Sequence, residues 1–228
     1  MGKVTIQEYT TKLPYELMGQ EAGICYGANI SNSEKNKTRG IDCLSSGHMR
    51  AAEYVQIYMV LEGYSARVMR EFYTHIGGAP TRLQASTRYI NYSKQFDYIV
   101  PENLSEEAKE CYNSIMKEIQ NSMYRLINDY NVPVEDAANV LPLGMSTTVV
   151  VRTNLRNIID MSHQRLCNRA YWEFRELMND ILDALVLYSP EYLDIVDDYC
   201  VPKCIMLGHC PEKKPCGKFA EIKVEYSK

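Results

Sequence analysis

The chain has 228 residues, of which 46% are hydrophobic and 24% charged, which suits one compact domain or at most two small ones and excludes a disordered or fibrous protein. Lys and Arg number 25 against 29 Asp and Glu, a net charge of −4, so no basic surplus indicates nucleic acid as a partner. No apolar run approaches the roughly 18 residues of a membrane span, and residues 1–13 lack the apolar core of a signal peptide. These features predict a soluble cytoplasmic protein without membrane contact.

In the first half of the chain, the residue patterns predict two strands and two helices. Residues 54–61 are rich in the β-formers Tyr, Val and Ile, and Ser65 behind them is a typical helix N-cap. The segment 29–40 is polar and poor in apolar residues, which predicts an exposed loop. The predicted elements are a strand at 3–9, a helix at 15–26, a strand at 54–61 and a helix at 66–75 that ends before Gly77-Gly78-Ala79-Pro80.

The second half predicts longer helices around one strong strand. Ser105 followed by two acids is a clear helix start, and apolar residues from Ile115 to Ile127 form a helical stripe behind it. A run of β-branched residues marks the strongest strand of the chain. The predicted elements are a strand at 96–100, a helix from 105 to about 130, a short helix at 134–140, a strand at 145–152 and a helix from 158 to about 188 that breaks near Cys167.

These elements place the chain in the α+β class, as a single domain with a small mixed or antiparallel sheet and long helices. No internal repeat and no linker rich in Gly, Ser or Pro divides it. We expect residues 1–195 to form this domain and residues 196–228 to form a cysteine-rich tail.

A glycine-rich turn followed by hydroxyl and guanidinium groups forms the first candidate site. The turn at 77–80 follows His75 and leads into Ser86, Thr87 and Arg88. Small residues let backbone N–H groups approach an anion, while an arginine offers a planar fork of donors and a serine a hydroxyl. The pattern is typical of a phosphate site, and it also occurs in ordinary surface loops.

A second candidate site lies on the helix predicted behind the last strand. Polar residues recur there at spacings of three and four, whereas Ile158 and Ile159 occupy another face. Such a polar face is either a functional surface or a solvated side with helix-stabilising pairs. The recurring positions are Asn154, Asn157, Asp160 and Met161, with Arg156 and Arg165 in the same segment.

Taken together and in this order, the two segments resemble the flavin-dependent thymidylate synthase family over roughly residues 45–190. Its hallmark is Arg-His-Arg, seven further residues, a serine and a closing Arg-Tyr. Here Gln84-Ala85-Ser86-Thr87-Arg88-Tyr89 matches the closing half, and His75 matches the central histidine. Further matches in the family's order are Asn131-Val132-Pro133, Leu141-Pro142-Leu143, Asn154-Leu155-Arg156, Arg165 and Trp172-Glu173.

The resemblance implies a homotetramer of α+β subunits that binds FAD between protomers and converts dUMP to dTMP. Methylenetetrahydrofolate supplies the one-carbon unit in this family, and NADPH is the expected reductant. The implied partners are therefore dUMP and folate small molecules, with neither nucleic acid nor membrane involved.

Carried over position by position, the resemblance also implies the site residues. Arg165 is the leading catalytic candidate, together with Ser86, because a guanidinium at the uracil edge stabilises the negative charge that grows as hydride arrives. The residues implied for dUMP are Glu71, Gln84, Ser86, Thr87, Arg88 and Arg165. Those implied for FAD are His48, Arg50, Glu53, Thr74, His75, Asn154, Arg156 and Asp160.

Three positions depart from the family pattern. Thr74 and Ile76 replace the two arginines beside His75, and Thr148 stands where the family offers another arginine to dUMP. Two of the replacement candidates lie near the hallmark, and the third shares a strand face with Thr148. These candidates are Arg70, Arg82 and Arg152.

The tail contains four cysteines at irregular spacing. Cysteines in a chain without a secretory signal are expected to be reduced thiols. Four thiolates on tight turns are a complete tetrahedral zinc set, whereas an iron–sulfur cluster, a redox-active pair or a plain reduced tail also fits. The candidate zinc ligands are Cys200, Cys204, Cys210 and Cys216.

Two other functions remain open. Thr74, Ile76 and Thr148 favour a flavin-dependent paralogue that modifies another pyrimidine nucleotide. In a different class, the chain is a non-enzymatic binding module built around a metal-binding cysteine tail, for which the net charge of −4 argues against nucleic acid as the target.

Overall fold

The computed structural model describes residues 2–220, so the last eight residues of the predicted tail lie outside the described residues. Four strands form one sheet: β1 (Lys3–Ile6), β2 (Gln56–Ser65), β3 (Thr81–Gln84) and β4 (Ser146–Asn154), in the order β1-β2-β4-β3. The α-helices are α1 (Pro14–Cys25), α2 (Ser33–Ser45), α3 (Ala66–Phe72), α4 (Glu106–Asn128), α5 (Val134–Ala137), α6 (Leu155–Arg165), α7 (Trp172–Tyr188), α8 (Leu193–Tyr199) and α9 (Lys203–Leu207). A small antiparallel sheet with many helices confirms the predicted α+β class. Among the described helices, none combines the length and the apolar character that a bilayer crossing requires.

The chain divides into two compact units. The first contains Leu61–Thr74 and Arg82–Val150 together with the first residues of the chain. The second contains Val4–Val60, His75–Thr81 and the chain from Val151 onward. The domain boundary that the sequence predicts at residue 195 stays a prediction.

In the first unit, α4 packs one side against a small aromatic and methionine cluster. Ser105 caps this helix as predicted, with its Oγ accepting a hydrogen bond from a backbone N–H at 3.3 Å. The predicted apolar stripe is confirmed at Met123, which is buried, and wrong at Ile115, which is 49% exposed while its neighbour Met116 is buried. Adjacent apolar residues lie about 100° apart on a helix, and only the packing partner decides which one turns inward. The cluster consists of Phe96, Met116 and Met145, with Tyr92, Tyr98, Tyr112, Ile119 and Leu141 against it.

The strand predicted at 96–100 is not formed. A single bridge pairs Tyr98 with Met145, and the aromatic side chains of this segment belong to the cluster under α4. The edge position of the sheet is taken instead by β3, a four-residue strand that the sequence analysis did not predict. Four residues of mixed polarity carry too little periodic signal to be recognised as a strand.

In the second unit, the polar segment predicted as an exposed loop at 29–40 forms most of α2. Asn32 caps this helix, since its Oδ1 accepts a hydrogen bond from a backbone N–H at 2.9 Å. The helix packs on α1 at glycine positions: a Cβ atom added to Gly40 would lie 1.9 Å from the carbonyl oxygen of Tyr15. The backbones of the two helices therefore approach closely at this glycine, a contact that hydrophobic periodicity does not encode.

The helix before the glycine-rich turn ends earlier than predicted, because α3 ends at Phe72 instead of near His75. Thr74 closes the helix by donating its hydroxyl hydrogen bond to the carbonyl oxygen of Glu71 at 2.7 Å. His75 is therefore the first residue of a loop and is not constrained to a helical direction.

The long helix predicted at 158–188 is broken near Cys167, as expected. It forms α6 and α7, joined by residues 166–171, and α6 begins three residues earlier than predicted. The facing sides of these helices supply much of the second unit's core. Their buried side chains include Leu155, Ile158, Met161, Phe174, Leu177, Met178 and Ile181.

The close approach of α1 and α2 predicts that Gly40→Ala destabilises the protein. Alanine is normally favoured over glycine inside a helix, but here the added methyl group meets a backbone oxygen. The helices must separate, and we expect the free energy of unfolding to fall by about 2 kcal/mol. Urea denaturation followed by circular dichroism measures the change, with Ser45→Ala on the exposed side of α2 as control. A Gly40→Ala variant as stable as the parent would contradict this packing.

Candidate active site

The glycine-rich turn packs against the N-terminus of α6. Asn154 caps the helix, with its Oδ1 accepting a hydrogen bond from the Asn157 backbone N–H at 2.9 Å. A Cβ atom on Gly78 would lie 1.9 Å from Asn154 Nδ2, and the φ of +69° at this position also favours glycine. Asn154 and Asn157 are both buried. This part of the polar face is therefore a structural contact with the turn and not a solvated surface.

His75, which precedes the glycine-rich turn, contacts Arg165, the last residue of α6. Arg165 Nε donates a hydrogen bond to His75 Nε2 at 2.9 Å. The guanidinium carbon of Arg165 lies 4.5 Å from the ring centroid of Phe174, and the rings of His75 and Phe174 meet edge to face at 5.7 Å. His75 and Phe174 are buried. We call these three side chains the Arg165 group; they give the guanidinium one polar and one aromatic contact.

Three of the residues implied for FAD form a separate cluster at the other end of α6. Arg156 Nη1 lies 2.6 Å from Glu53 Oε1, and its Nε lies 3.8 Å from Asp160 Oδ2. All three side chains are about half exposed. Nine residues separate Arg156 from Arg165, which places them roughly 13 Å apart along the helix and on opposite faces. The structure thus groups His75 with Arg165 and not with this cluster.

Two further residues implied for FAD, His48 and Arg50, precede the short 3₁₀ helix Ala51–Glu53 and are exposed. The backbone N–H of His48 donates to the carbonyl oxygen of Cys43 at 2.7 Å, which fixes the chain where it leaves α2. Both residues lie in the short segment that leads from α2 to Glu53, the partner of Arg156.

In the first unit, the segment implied for the phosphate of dUMP forms a tight turn directly after β3. Ser86 Oγ accepts a hydrogen bond from the Arg88 backbone N–H at 3.3 Å, and Thr87 between them is half-buried. Arg88 Nε lies 2.8 Å from Glu135 Oε2, with the two side chains 65% and 51% exposed. Gln84 Nε2 donates to a threonine hydroxyl on β4 at 3.4 Å. The predicted anion site is therefore an exposed turn whose arginine is bound to a carboxylate.

Arg152 does not stand free as a replacement for the arginine missing at Thr148. Burial alternates along β4 so that both residues lie on its less buried face, as predicted. Arg152 Nη2 donates to the carbonyl oxygen of Ala79 and to Thr81 Oγ1, both at 3.2 Å. Arg152 therefore stabilises the C-terminal end of the glycine-rich turn through these two hydrogen bonds.

The other two candidate replacements lie in the first unit. Arg82 is packed between two aromatic rings, with its guanidinium carbon 5.1 Å from the centroid of Phe72 and 5.0 Å from that of Tyr73. Burial lowers the pKa of Arg82 below its usual value. Arg70 is exposed in the last turn of α3. Of these two, only Arg82 has an aromatic environment like that of Arg165.

Each unit contains a cavity of similar size. In the second unit a cavity of about 510 Å³ is lined by Arg165, Arg169 and His163 and by several residues of the cysteine tail. Burial lowers the pKa of His163, whose Nε2 lies 3.1 Å from the Tyr199 carbonyl oxygen. In the first unit a cavity of about 500 Å³ is lined by residues that include Ala85, Tyr92, Phe96, Thr147 and Thr148.

The cysteines divide into two environments. Cys200 is buried, which raises the pKa of its thiol to about 12. Cys204 shares the cavity of the second unit with three other thiols, and burial together with the nearby Cys210 and Cys167 raises its pKa. Across residues 2–220, no three His, Cys, Asp or Glu side chains are grouped as a metal ion requires, so the geometry lends no support to the zinc hypothesis. The cavity cysteines are Cys167, Cys204, Cys210 and Cys216.

Sequence reasoning did not single out Phe174 or the seat for Gly78. Helical periodicity in α7 predicts that Phe174 is buried, but it contains no information about an arginine on another helix. The glycine pair was recognised as a helix stop, whereas its fit against Asn154 depends on how the turn meets α6. Both features are tertiary contacts.

Comparisons with known proteins agree with this fold and these motifs. A family model described as thymidylate synthase complementing protein matches residues 6–191. The flavin-dependent thymidylate synthase of Clostridium tetani is 28% identical, over 98% of this chain and 96% of that protein. The corresponding protein of Geobacter sulfurreducens is 28% identical, over 97% and 96%. The structure of the Helicobacter pylori flavin-dependent thymidylate synthase complexed with FAD and dUMP has a TM-score of 0.69 at 19% identity, over 87% of this chain and 99% of that one.

The family model covers most of the chain, so the chain belongs to the thymidylate synthase complementing protein family. The resemblance inferred from the motifs is thereby confirmed. At 19% identity the structural likeness bears on the fold alone, and it agrees with the small sheet and long helices described above.

The two cysteine environments predict different reactivity towards iodoacetamide. The thiolate is the reacting species, and a raised pKa together with burial leaves Cys200 little thiolate at pH 8. We expect exposed Cys216 and Cys111 to be alkylated in the native protein and Cys200 only after unfolding. Peptide mapping by mass spectrometry after timed labelling measures this order. Alkylation of native Cys200 at the rate of Cys216 would contradict the described burial.

Proposed function

We propose that this chain is a flavin-dependent thymidylate synthase, a methyltransferase that converts dUMP to dTMP. The Arg165 group carries the proposal: a guanidinium held by His75 and Phe174 at a cavity wall suits the carbonyl edge of a pyrimidine. Membership of the family supports it over residues 6–191. The one-carbon unit comes from methylenetetrahydrofolate, and NADPH is the reductant.

The turn after β3 binds the phosphate of dUMP. Ser86 offers its hydroxyl, Thr87 its backbone N–H and hydroxyl, and Arg88 its guanidinium. The bond between Arg88 and Glu135 is exposed at both ends, so it contributes only about 0–1 kcal/mol. A charge-assisted contact to phosphate contributes about 1.5–3 kcal/mol. The phosphate therefore displaces Glu135 from Arg88, with Glu71 and Gln84 as the further residues proposed for dUMP.

The exposed cluster around Arg156 fits the needs of FAD, whose pyrophosphate is anionic. Arg156 and Arg50 offer guanidinium groups and His48 an imidazole, while Glu53 offers carboxylate oxygens to N–H or hydroxyl donors. When bound, the flavin supplies the hydride that is added to C6 of the pyrimidine. The further residues proposed for FAD from the family pattern are Thr74, Asn154 and Asp160.

Arg165 acts on the charge that develops in the substrate. Hydride addition at C6 moves electron density into the pyrimidine carbonyl groups, so the transition state is more negative there than bound dUMP. A fixed guanidinium at this edge binds the transition state more tightly than the ground state, which is the condition for a larger kcat. A hydrogen bond to His75 and a face on Phe174 hold the guanidinium of Arg165 in one direction.

A second candidate function is the modification of another pyrimidine nucleotide on the same scaffold. Thr74, Ile76 and Thr148 favour it, because each stands where the family pattern places an arginine. Arg152 holds the glycine-rich turn through two hydrogen bonds, so it supplies that missing charge only if it leaves them.

The wider organisation is proposed from the family pattern. We expect a homotetramer with FAD at subunit interfaces, a catalytic domain over residues 1–195 and a cytoplasmic location. Zinc in the cysteine tail stays a prediction without geometric support in residues 2–220.

Two measurements on the purified full-length protein test the function. An absorption spectrum after addition of FAD detects a bound flavin. Tritium release from dUMP labelled at C5, with NADPH and methylenetetrahydrofolate present, then measures turnover. Release that depends on both cosubstrates is the expected result. A protein that does not bind FAD overturns the proposal, whereas bound flavin without tritium release favours the second candidate nucleotide.

Replacing Arg88 by Ala should weaken dUMP binding and leave FAD binding unchanged. Loss of the contact to phosphate, about 2 kcal/mol, corresponds to a KM for dUMP raised about 30-fold. Arg125→Ala is a matched control, because Arg125 is equally exposed and also faces an acid, Asp129. Glu135→Gln removes the competing carboxylate and should lower the KM. If the FAD affinity of Arg88→Ala falls while its KM for dUMP holds, Arg88 has been assigned to the wrong ligand.

Replacing Arg165 by Lys should lower kcat about 100-fold, the scale of one lost oxyanion-type donor. Lysine keeps the charge but loses the planar fork that His75 and Phe174 hold. Bound FAD should persist, because Arg156 lies on the opposite face of α6. Single-turnover reoxidation of the reduced enzyme by dUMP and the folate donor measures the effect, with Arg175→Lys as control. A wild-type rate in Arg165→Lys would remove Arg165 from the chemistry.

A further inference from the structure

We propose that His75 and Phe174 are positioning residues for Arg165, and that neutral His75 directs the guanidinium in addition to the flavin contact that the family pattern implies for it. The effect on turnover rests on the proposed function. The tautomer and the direction of the guanidinium are properties of the protein itself and are measured without turnover.

The direction of the guanidinium follows from which of its nitrogens is bound. The Nε–H of Arg165 points at His75 Nε2, so the two Nη groups form the part of the fork that His75 does not engage. A guanidinium is planar, and fixing one N–H direction together with one face fixes the whole group. The ring of Phe174, 4.5 Å from the guanidinium carbon, defines that face.

The same hydrogen bond defines the state of His75. An arginine Nε always carries a hydrogen, so His75 Nε2 must accept and therefore carries none. His75 is then neutral, with its proton on Nδ1. A protonated His75 would turn an N–H towards an N–H and place two cations in contact. The positive charge of the pair consequently stays on Arg165, where the proposed chemistry uses it.

The position of His75 depends on the turn behind it. Because α3 ends at Phe72, His75 lies in a loop, and the next residues are seated on the cap of α6 through Gly78. Arg165 is the last residue of the same helix. One helix therefore fixes both partners, with the turn at its first residue and the arginine at its last.

Two substitutions of His75 separate positioning from the other roles. In His75→Gln the amide oxygen lies about where Nε2 was, so it still accepts from Arg165. In His75→Asn the amide is of the same type but lies about where Nδ1 was, too short to reach. We expect kcat at saturating FAD to fall about 10-fold or more in His75→Asn and to recover largely in His75→Gln. Thermal unfolding of both variants monitors folding.

Phe174→Leu tests the aromatic face by the same assay. Leucine keeps the side chain apolar and buried but removes the π face, and we expect kcat to fall about 10-fold while the KM for dUMP changes little. His209→Gln is the control for a histidine change, because His209 is exposed in the tail.

Solid-state NMR of the FAD-loaded protein labelled with ¹⁵N-histidine gives a readout that needs no turnover. The chain has four histidines, so the signal missing in His75→Gln identifies His75. We expect an unprotonated Nε2 and a protonated Nδ1. A protonated Nε2, or equal kcat at saturating FAD in His75→Asn and His75→Gln, overturns the proposal. An inactive wild-type protein with the expected tautomer would instead refute the proposed function and leave the positioning intact.

Discussion

The hydrogen bond from Arg165 to His75 is the contact on which the proposed site depends. It joins the last residue of α6 to the segment before the glycine-rich turn. The turn itself contacts Asn154 at the start of the same helix through Gly78, so both ends of α6 contact this segment. A rigid helix between the two contacts leaves little freedom for the guanidinium. Such a fixed donor is what differential binding of a transition state requires, since a mobile one would have to be ordered during the reaction.

The arginines proposed for binding and Arg165 differ in the side chains that they contact. Arg156 and Arg88 face carboxylates at 2.6 and 2.8 Å, so a bound phosphate must compete with an acid for them. Arg165 contacts an imidazole and an aromatic ring, which orient its guanidinium. Exchange of a carboxylate for a phosphate suits binding, whereas a guanidinium held in a fixed direction suits the stabilisation of an electron-rich intermediate.

The departures from the family hallmark have a partial structural explanation. Thr74 ends α3 through its hydroxyl, and Arg152 binds the far end of the glycine-rich turn, so both edges of the turn are fixed without flanking arginines. These contacts do not replace the positive charge of the arginines that the family has at positions 74, 76 and 148. Arg82, half-buried against Phe72 and Tyr73, is another guanidinium that packs on aromatic rings in this chain.

Sequence alone determined the elements with strong local signals: the capped start of α4, the β-branched strand β4 and the break between α6 and α7. It also determined the family, because ordered motifs survive where overall identity is low. The tertiary structure decided what local signals do not encode. A polar segment forms α2 because Gly40 allows the backbones of α1 and α2 to come into contact. Ile115 is exposed because its neighbour Met116 packs in the cluster under α4. The partner of Arg165 was decided in the same way, since a hydrogen bond between residues 90 positions apart depends on how a turn meets a helix and leaves no trace in the local pattern of either.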